Sequence, residues 1–182
     1  MILSYNEICE LIDQGVIKNA TYDMVNPASC DVTLARDILI EEHHYCYCFK
    51  PIIDYIISLF KREQLNTIEQ QLPYTMEPNE FILASIQQEL NLPDDISACF
   101  MLKSSPARQG LEQLTACWAD AGYNGCMTLE LKNMTRYHNL ALNEGDPIGQ
   151  LVFHRHAMVP EDKSYRVRGR YNGDKSVSGI KK

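Results

Sequence analysis

The 182-residue sequence lacks several features that would assign it to a class of protein at once. It contains no apolar run long enough to span a membrane, because Asp54 interrupts the best candidate, residues 52–60. Its first ten residues include the acidic Glu7 and Glu10. They do not form the basic segment followed by an apolar segment that is typical of a signal peptide, so we expect no secretory signal. It also shows no internal repeat and no linker. We therefore expect one cytoplasmic domain, residues 1–182, with no membrane partner.

The zinc-binding signature of nucleobase deaminases is also missing. That signature needs His-x-Glu followed by Pro-Cys-x-x-Cys, and neither half occurs in the chain. A dense cluster does occur at His43, His44, Cys46 and Cys48, but its cysteines lack the usual two-residue gap and no second half follows. We expect partly buried strand residues there, with a metal site as the less favoured alternative, and a protein without zinc. Seven cysteines without regular spacing predict reduced thiols.

Charge is unevenly distributed along the chain. Residues 163–182 carry seven cations and one carboxylate, a balance of +6, so the rest carries −13 and the whole chain −7. An acidic body binds nucleic acid poorly, and we expect no nucleic-acid partner. A basic tail is commonly a solvated end, but it can also close over one compact anion such as a triphosphate.

Short apolar runs separated by Pro, Gly, Asn and Asp predict a mainly β protein. The predicted strands are 30–41, 80–87, 97–103, 126–132 and 148–154. Such a series indicates a barrel or sandwich rather than alternating strands and helices. One helix is predicted from the capping box Ser4-x-x-Glu7 to Gly15, and a second, with an apolar stripe, opens at Pro51.

The most informative stretch is residues 103–111, of sequence Lys-Ser-Ser-Pro-Ala-Arg-Gln-Gly-Leu. Ser104 or Ser105 can cap a helix there, and Pro106 fits its first turn, where a missing N–H group costs nothing. Free backbone N–H groups, flanked by a lysine and an arginine, would make a seat for phosphate.

A second informative stretch contains an Ala-Gly-Tyr-Asn-Gly turn followed by a strand. Alternation along that strand predicts two faces, with Cys126, Thr128, Glu130 and Lys132 on one and Met127, Leu129 and Leu131 on the other. A phosphate seat together with a carboxylate on a nearby strand indicates chemistry on a nucleotide.

The two stretches, residues 103–111 and 115–133, resemble the paired motifs of the dCTP deaminase family within the deaminase/dUTPase superfamily. Further matches occur along the chain at residues 26–34, 79–85, 92–96 and 145–151, and only about residues 40–75 lack a counterpart. The resemblance implies a mainly β, dUTPase-like distorted β-barrel, jelly-roll-like, with a few short helices. It also implies a homotrimer whose nucleotide sites are shared between subunits.

The resemblance assigns roles to individual residues. Glu130 falls on the family's catalytic glutamate, where plain dUTPases have an apolar residue. Ser104 and the backbone carbonyl of Ala116 would hold the attacking water, and Arg108 would steady Glu130. The residues expected to bind substrate are Lys103, Ser105, Asp120, Thr128, Leu129, Gln150, Tyr165, Arg170 and Asp174. Taken without the resemblance, Glu130 would be a solvent-facing strand residue, Ser104 a helix cap and Arg108 a surface arginine.

The chain departs from the family pattern at three positions. Lys103 stands where arginine is usual, which keeps the charge but loses the bidentate geometry. Pro106 replaces the usual leucine. Asp174 stands where a glutamine usually helps to hold the triphosphate. We therefore expect Asp174 to repel phosphate unless Mg²⁺ or a neighbour such as Lys175 offsets its charge.

Taken together, these features predict a zinc-independent deaminase that converts dCTP to dUTP and ammonia, with Mg²⁺ bound through the triphosphate. One carboxylate can take the proton of the attacking water and pass it to the ring and the leaving amine. Two alternatives stay open: a bifunctional enzyme that also hydrolyses dUTP to dUMP and diphosphate, and a nucleotide-binding regulator without turnover. Residues 163–182 are expected to form a lid over the nucleotide, mobile after Ser176.

Overall fold

The computed structural model describes residues 1–42 and 65–181. The predicted helix that opens at Pro51 and the cluster from His43 to Cys48 lie outside these residues. No helix in the described part of the chain is long and apolar enough to cross a membrane.

Most of the regular structure in the described residues is β-strand, which confirms the mainly β prediction. The strands are β1 Ile17–Lys18, β2 Val25–Asn26, β3 Ser29–Thr33, β4 Asp37–Glu41, β5 Thr67–Gln71, β6 Tyr74–Met76, β7 Phe81–Asn91, β8 Ile96–Leu102, β9 Leu111–Gln113, β10 Trp118–Ala119, β11 Asn124–Asn133, β12 Leu140–Leu142 and β13 Pro147–Arg155. The helices are α1 Tyr5–Asp13, α2 Ser104–Arg108 and α3 Tyr165–Arg168, with 3-10 turns at Tyr22–Met24 and Glu161–Lys163.

Two antiparallel sheets carry most of these strands. The first has the order β5-β4-β7-β11-β9, with β1 also pairing with β7, and the second has the order β10-β8-β13-β3-β2. Strands β6 and β12 form a separate pair. Within residues 1–42 and 65–181 neither sheet closes into a barrel, so the expected architecture is present in a distorted, open form.

The two sheets bury their apolar residues in one core. Phe100 and Phe153 come from the second sheet, Ile82 and Leu129 from the first, and each is at most 2% exposed. In β11 buried and half-buried residues alternate as predicted from Met127 to Asn133, so Glu130 lies on the face opposite to Leu129. Because successive side chains point to opposite faces, one strand can contribute residues to the core on one face and to a site on the other. The predicted alternation fails at Cys126, which is buried, because the strand register shifts between Cys126 and Thr128.

The start of the chain folds as its capping box predicts. The backbone N–H of Ser4 donates to Glu7 Oε2 at 3.0 Å, and Gly15 follows α1 with a φ of +70°. The single strand predicted over residues 30–41 is wrong, because it is two strands in different sheets. The chain leaves β3 after Thr33, crosses between the sheets, and enters β4 at Asp37.

Candidate active site

A cavity of about 640 Å³ opens beside β11. Its lining comes from β11 and its neighbours β7 and β5, from β10 and the segment that precedes it, and from α3 and the tail that follows. It brings together five of the residues predicted for the site, namely Ala116, Thr128, Glu130, Tyr165 and Asp174. These residues are separated by up to 58 positions in sequence.

Glu130 of β11 places its carboxylate in the wall of this cavity. It is half-buried, and Gln113 Nε2 donates to its Oε2 at 3.3 Å. Burial raises the pKa of Glu130 above its usual value, while its own backbone N–H and Gln113 partly oppose the shift. A carboxyl group with a raised pKa exchanges protons closer to neutral pH, as an acid–base catalyst requires.

Gln113 is a residue of the site that the sequence did not reveal. It is buried, with 7% of its surface exposed, and lies on β9 opposite Leu131 of β11. Pairing of β9 with β11 is what brings its amide to Glu130. A glutamine in a three-residue strand has no sequence pattern that marks it as a site residue. Its role becomes visible only when the pairing of β9 with β11 is known.

The tail reaches the cavity by packing against the two glycines of the Ala-Gly-Tyr-Asn-Gly turn. A Cβ atom on Gly122 would lie 2.0 Å from Ser164 Oγ, and one on Gly125 would lie 2.5 Å from the carbonyl oxygen of Asp174. Both glycines also have positive φ angles, +81° and +134°. Next to Gly125, Cys126 donates its backbone N–H to the carbonyl of Asp174 at 2.8 Å. The turn therefore serves as a docking surface for the tail.

The side chain of Asp174 is held within the tail itself. Lys181 forms an ion pair with it, and Ser178 Oγ donates to Asp174 Oδ2 at 2.6 Å. The neighbour that offsets its charge is thus Lys181, whereas Lys175 pairs with Glu89 at 2.5 Å. The sequence analysis considered the adjacent Lys175 as the partner of Asp174, whereas the partner is Lys181, seven positions further along the chain.

The mobility expected after Ser176 stays a prediction, but residues 177–181 have contacts with β11 and with the cavity. Ser178 donates its backbone N–H to Thr128 Oγ1 at 3.2 Å, and Ile180 lines the cavity. Arg170 is exposed and donates to the carbonyl of Lys181 at 3.2 Å, away from the cavity lining. The tail folds back on β11 because it carries its own ion pair and hydrogen bonds.

Two further residues predicted to bind substrate face elsewhere. Leu129 is fully buried in the core, so only its backbone can contact a ligand. Gln150 lies on β13 in the second sheet, where its Oε1 accepts a hydrogen bond from Ser29 Oγ at 2.8 Å. The Oε1 atom of Gln150 is therefore engaged within the second sheet.

The helix α2 lies apart from this cavity. Its N-cap is Lys103 rather than either predicted serine, and Pro106 falls in its first turn as expected. Ser104, Ser105 and Arg108 are exposed. Among the described residues, the guanidinium of Arg108 has no hydrogen bond or ion pair. Lys103, by contrast, pairs with Asp31 of β3.

Asp120 lies in a smaller cavity of about 310 Å³, shared with Tyr165. Its Oδ1 accepts a hydrogen bond from Trp118 Nε1 at 3.0 Å. His156 lines the same cavity and lies 2.9 Å from Ser97 Oγ, while His154 packs on the Trp118 ring. In residues 1–42 and 65–181 no three His, Cys, Asp or Glu side chains cluster closely enough to hold a metal ion.

Comparison with known proteins supports the family resemblance. A family profile described as dCTP deaminase-like matches residues 2–156. A protein of Streptomyces avermitilis named dCTP deaminase, dUMP-forming, is 36% identical over 180 residues, which cover 96% of this chain and 92% of its own. A protein of Streptomyces coelicolor with the same name is 35% identical over the same shares of both chains.

The fold also matches a solved structure. The 2'-deoxycytidine 5'-triphosphate deaminase of Agrobacterium tumefaciens superposes with a TM-score of 0.64 at 23% identity. The match covers 85% of this chain and 48% of that one, so the present chain spans about half of its length. At this identity the likeness shows the fold alone, and it confirms the dUTPase-like, mainly β prediction.

The names of the relatives correct one prediction. A deaminase that releases dUTP as its final product is contradicted, because both relatives are named for forming dUMP. The alternative of a bifunctional enzyme agrees with these names. The profile covers most of the chain and the Streptomyces relatives cover almost all of it, and the chain therefore belongs to the dCTP deaminase-like family.

Proposed function

We propose that this protein is a bifunctional dCTP deaminase that converts dCTP and two waters to dUMP, ammonia and diphosphate. The observation that carries the proposal is Glu130, a half-buried carboxylate in the wall of a cavity large enough for a nucleotide. The dUMP-forming outcome rests on the names of the relatives.

In the deamination step, water attacks C4 of cytosine and Glu130 takes its proton. The same carboxyl group then passes protons to the ring and to the amine, which leaves as ammonia. The raised pKa of Glu130 favours this double use, because burial makes the carboxylate a stronger base towards the attacking water and makes the protonated form easier to populate. The hydrogen bond from Gln113 fixes the direction of the carboxylate without neutralising it. The carbonyl of Ala116 holds the attacking water.

We propose further that the site is completed by a neighbouring subunit of a homotrimer. Ser104, Ser105 and Arg108 belong to the assigned chemistry, yet they are exposed on α2 and do not line the cavity of their own chain. An arginine without a partner in its own chain suits a role across an interface, where it can steady Glu130 and the developing charge. Lys103 and Gln150 would join the same shared site.

The tail, residues 163–182, is the proposed lid of the single domain. Its residues Tyr165 and Asp174 already line the cavity, and its net positive charge suits a triphosphate. Mg²⁺ enters as part of the substrate, bound by the triphosphate, whose negative charge it partly offsets. Asp120 and Thr128 would contact the sugar and base.

The test is to incubate the purified protein with dCTP and Mg²⁺ and to separate dUTP, dUMP, diphosphate and ammonia. We expect dUMP, diphosphate and ammonia in equal amounts. Release of dUTP alone would show a simple deaminase, and bound but unchanged dCTP would show a regulator. A parallel incubation with dUTP separates the hydrolytic step from the deamination step.

A further inference from the structure

Two cysteines on neighbouring strands meet at the edge of the cavity. Cys99 lies in β8, and Cys117 directly precedes β10, whose Trp118 is the register partner of Cys99. Their Sγ atoms are 3.6 Å apart. The backbone N–H of Phe100 donates to the carbonyl of Cys117 at 2.8 Å, which holds the two segments together next to the sulfurs.

A small movement of the two sulfur atoms towards each other would allow a covalent bond between them. A disulfide needs its sulfurs about 2.05 Å apart on chains that are already neighbours, and these two thiols are in contact without being bonded. Both side chains are only partly buried. Burial raises the pKa of Cys99 to about 11, so Cys99 remains a thiol at neutral pH. Cys117 lines the cavity, so a small oxidant that enters the cavity meets Cys117 directly.

The position of Cys117 connects this pair to the chemistry. It follows Ala116, whose carbonyl is proposed to hold the attacking water, and the backbone N–H of Ala116 donates to Leu114 at 2.7 Å. Drawing Cys117 towards Cys99 would pull this short segment towards β8. A displacement of about 1 Å in a catalytic group can lower a rate by about 10²-fold.

We propose that Cys99 and Cys117 form a reversible disulfide that switches the site off under oxidation by peroxide. Hydrogen peroxide transfers one oxygen atom to the sulfur of Cys117, giving a sulfenic acid and water. The sulfur of Cys99 then attacks that sulfur and its S–H bond breaks. The S–S bond forms, and the sulfenic hydroxyl leaves with the thiol proton as a second water. A dithiol returns both cysteines to thiols. The effect on activity rests on the proposed function, whereas formation of the bond does not.

The experiment treats the reduced full-length protein with hydrogen peroxide, blocks the remaining thiols by alkylation, and digests it without reductant. Trypsin cuts after Lys103 and Arg108, and a protease that cuts before aspartate separates Cys117 from Cys126 at Asp120. We expect a linked pair of peptides that contain Cys99 and Cys117. Ammonia release from dCTP should fall at least about 10-fold and return after treatment with dithiothreitol.

Two variants control this result. Cys99→Ser should retain the activity of the reduced protein and lose its reversible inhibition by peroxide, because Cys117 no longer has a partner. Cys9→Ser, on α1, removes one thiol elsewhere and should leave the inhibition unchanged. The proposal is overturned if other cysteines are oxidised without the linked peptides, or if the link forms while activity is unaffected. A reduced protein that never deaminates dCTP would refute the proposed function instead, since the peptides still report the bond.

Discussion

Two regions carry the residues assigned to the site, and they differ in how they are held. Along the cavity, Glu130 is bonded to Gln113, and Asp174 to Lys181 and Ser178, all within one chain. On α2, Ser104 and Arg108 stand in solvent. The side chains in the wall of the cavity are held by hydrogen bonds and ion pairs within their own chain. The side chains on α2 have no such partners and are available to bind another molecule. This difference supports the proposal of a site divided between two copies of the chain.

The largest effect is expected in the cavity wall. Glu130→Gln keeps the shape of the side chain but removes its basicity, so deamination should fall by about 10²-fold or more while dCTP binding largely survives. The measurement is ammonia release at saturating dCTP together with a separate binding titration. Glu144→Gln, in an exposed turn, is the matched control and should behave as the native protein. Near-native deamination by the Glu130 variant would remove that residue from the mechanism.

The raised pKa of Glu130 can be tested by comparing how pH affects the native protein and the Glu130→Gln variant. The ionised carboxylate must accept a proton, so the native rate should fall on acidification at a pH above 4.5, the ordinary value. Because the folded pKa is raised, ionised Glu130 destabilises the fold above that pKa, and the penalty disappears below the unfolded value. Glu130→Gln should therefore increase the free energy of unfolding at neutral pH but not at acidic pH. Urea titrations at both pH values measure the difference.

On α2, the prediction is a loss of activity without a loss of stability. Arg108→Ala should reduce deamination by about 10²-fold, as removal of one charge-stabilising donor does in other enzymes. Its thermal unfolding should not change, because Arg108 has no partner among the described residues. Arg36→Ala, another exposed arginine, serves as the control. An unstable Arg108 variant would show that the residue supports its own chain, contrary to the comparison.

The tail should affect binding rather than folding. A chain that ends after Asn172 keeps Ser164, which is buried against Gly122, but loses Asp174 and the residues that follow. We expect dCTP to bind about 10-fold more weakly, with a difference that shrinks as salt rises, since charges are screened over about 10 Å at 0.1 M. Calorimetric titration at two salt concentrations measures this. Unchanged affinity would mean that the tail is not a lid.

The smallest effect is expected for the contact between Asp174 and Lys181. A double-mutant cycle with Asp174→Asn and Lys181→Met should give a coupling of about 0.2–1 kcal/mol in the free energy of unfolding, as for other partly exposed ion pairs. If Asp174 instead repelled phosphate, Asp174→Gln would bind dCTP more tightly. We expect it to bind slightly more weakly, because it loses the partner that keeps the tail folded back.

Much of this arrangement could be predicted from local patterns. The capping box at Ser4 and the alternation around Glu130 follow from periodicity, which the nearest neighbours in sequence determine. The crossing after Thr33 could not be predicted, because residues on both sides favour strands and only sheet pairing separates them. The same holds for Gln113 and for the partner of Asp174. Their roles depend on contacts between distant parts of the chain, which no local pattern encodes.

The division of the site between subunits is tested most directly by mixing two inactive variants. Glu130→Gln retains a native α2, and Arg108→Ala retains a native cavity. Co-expressed in equal amounts and assembled at random, they should give a population of trimers in which about a quarter of all sites pair a native cavity with a native α2. We therefore predict that deamination returns to about a quarter of the native rate, far above either variant alone. Mixed trimers, verified by differential tags, that remain as inactive as the separate variants would contradict a shared site.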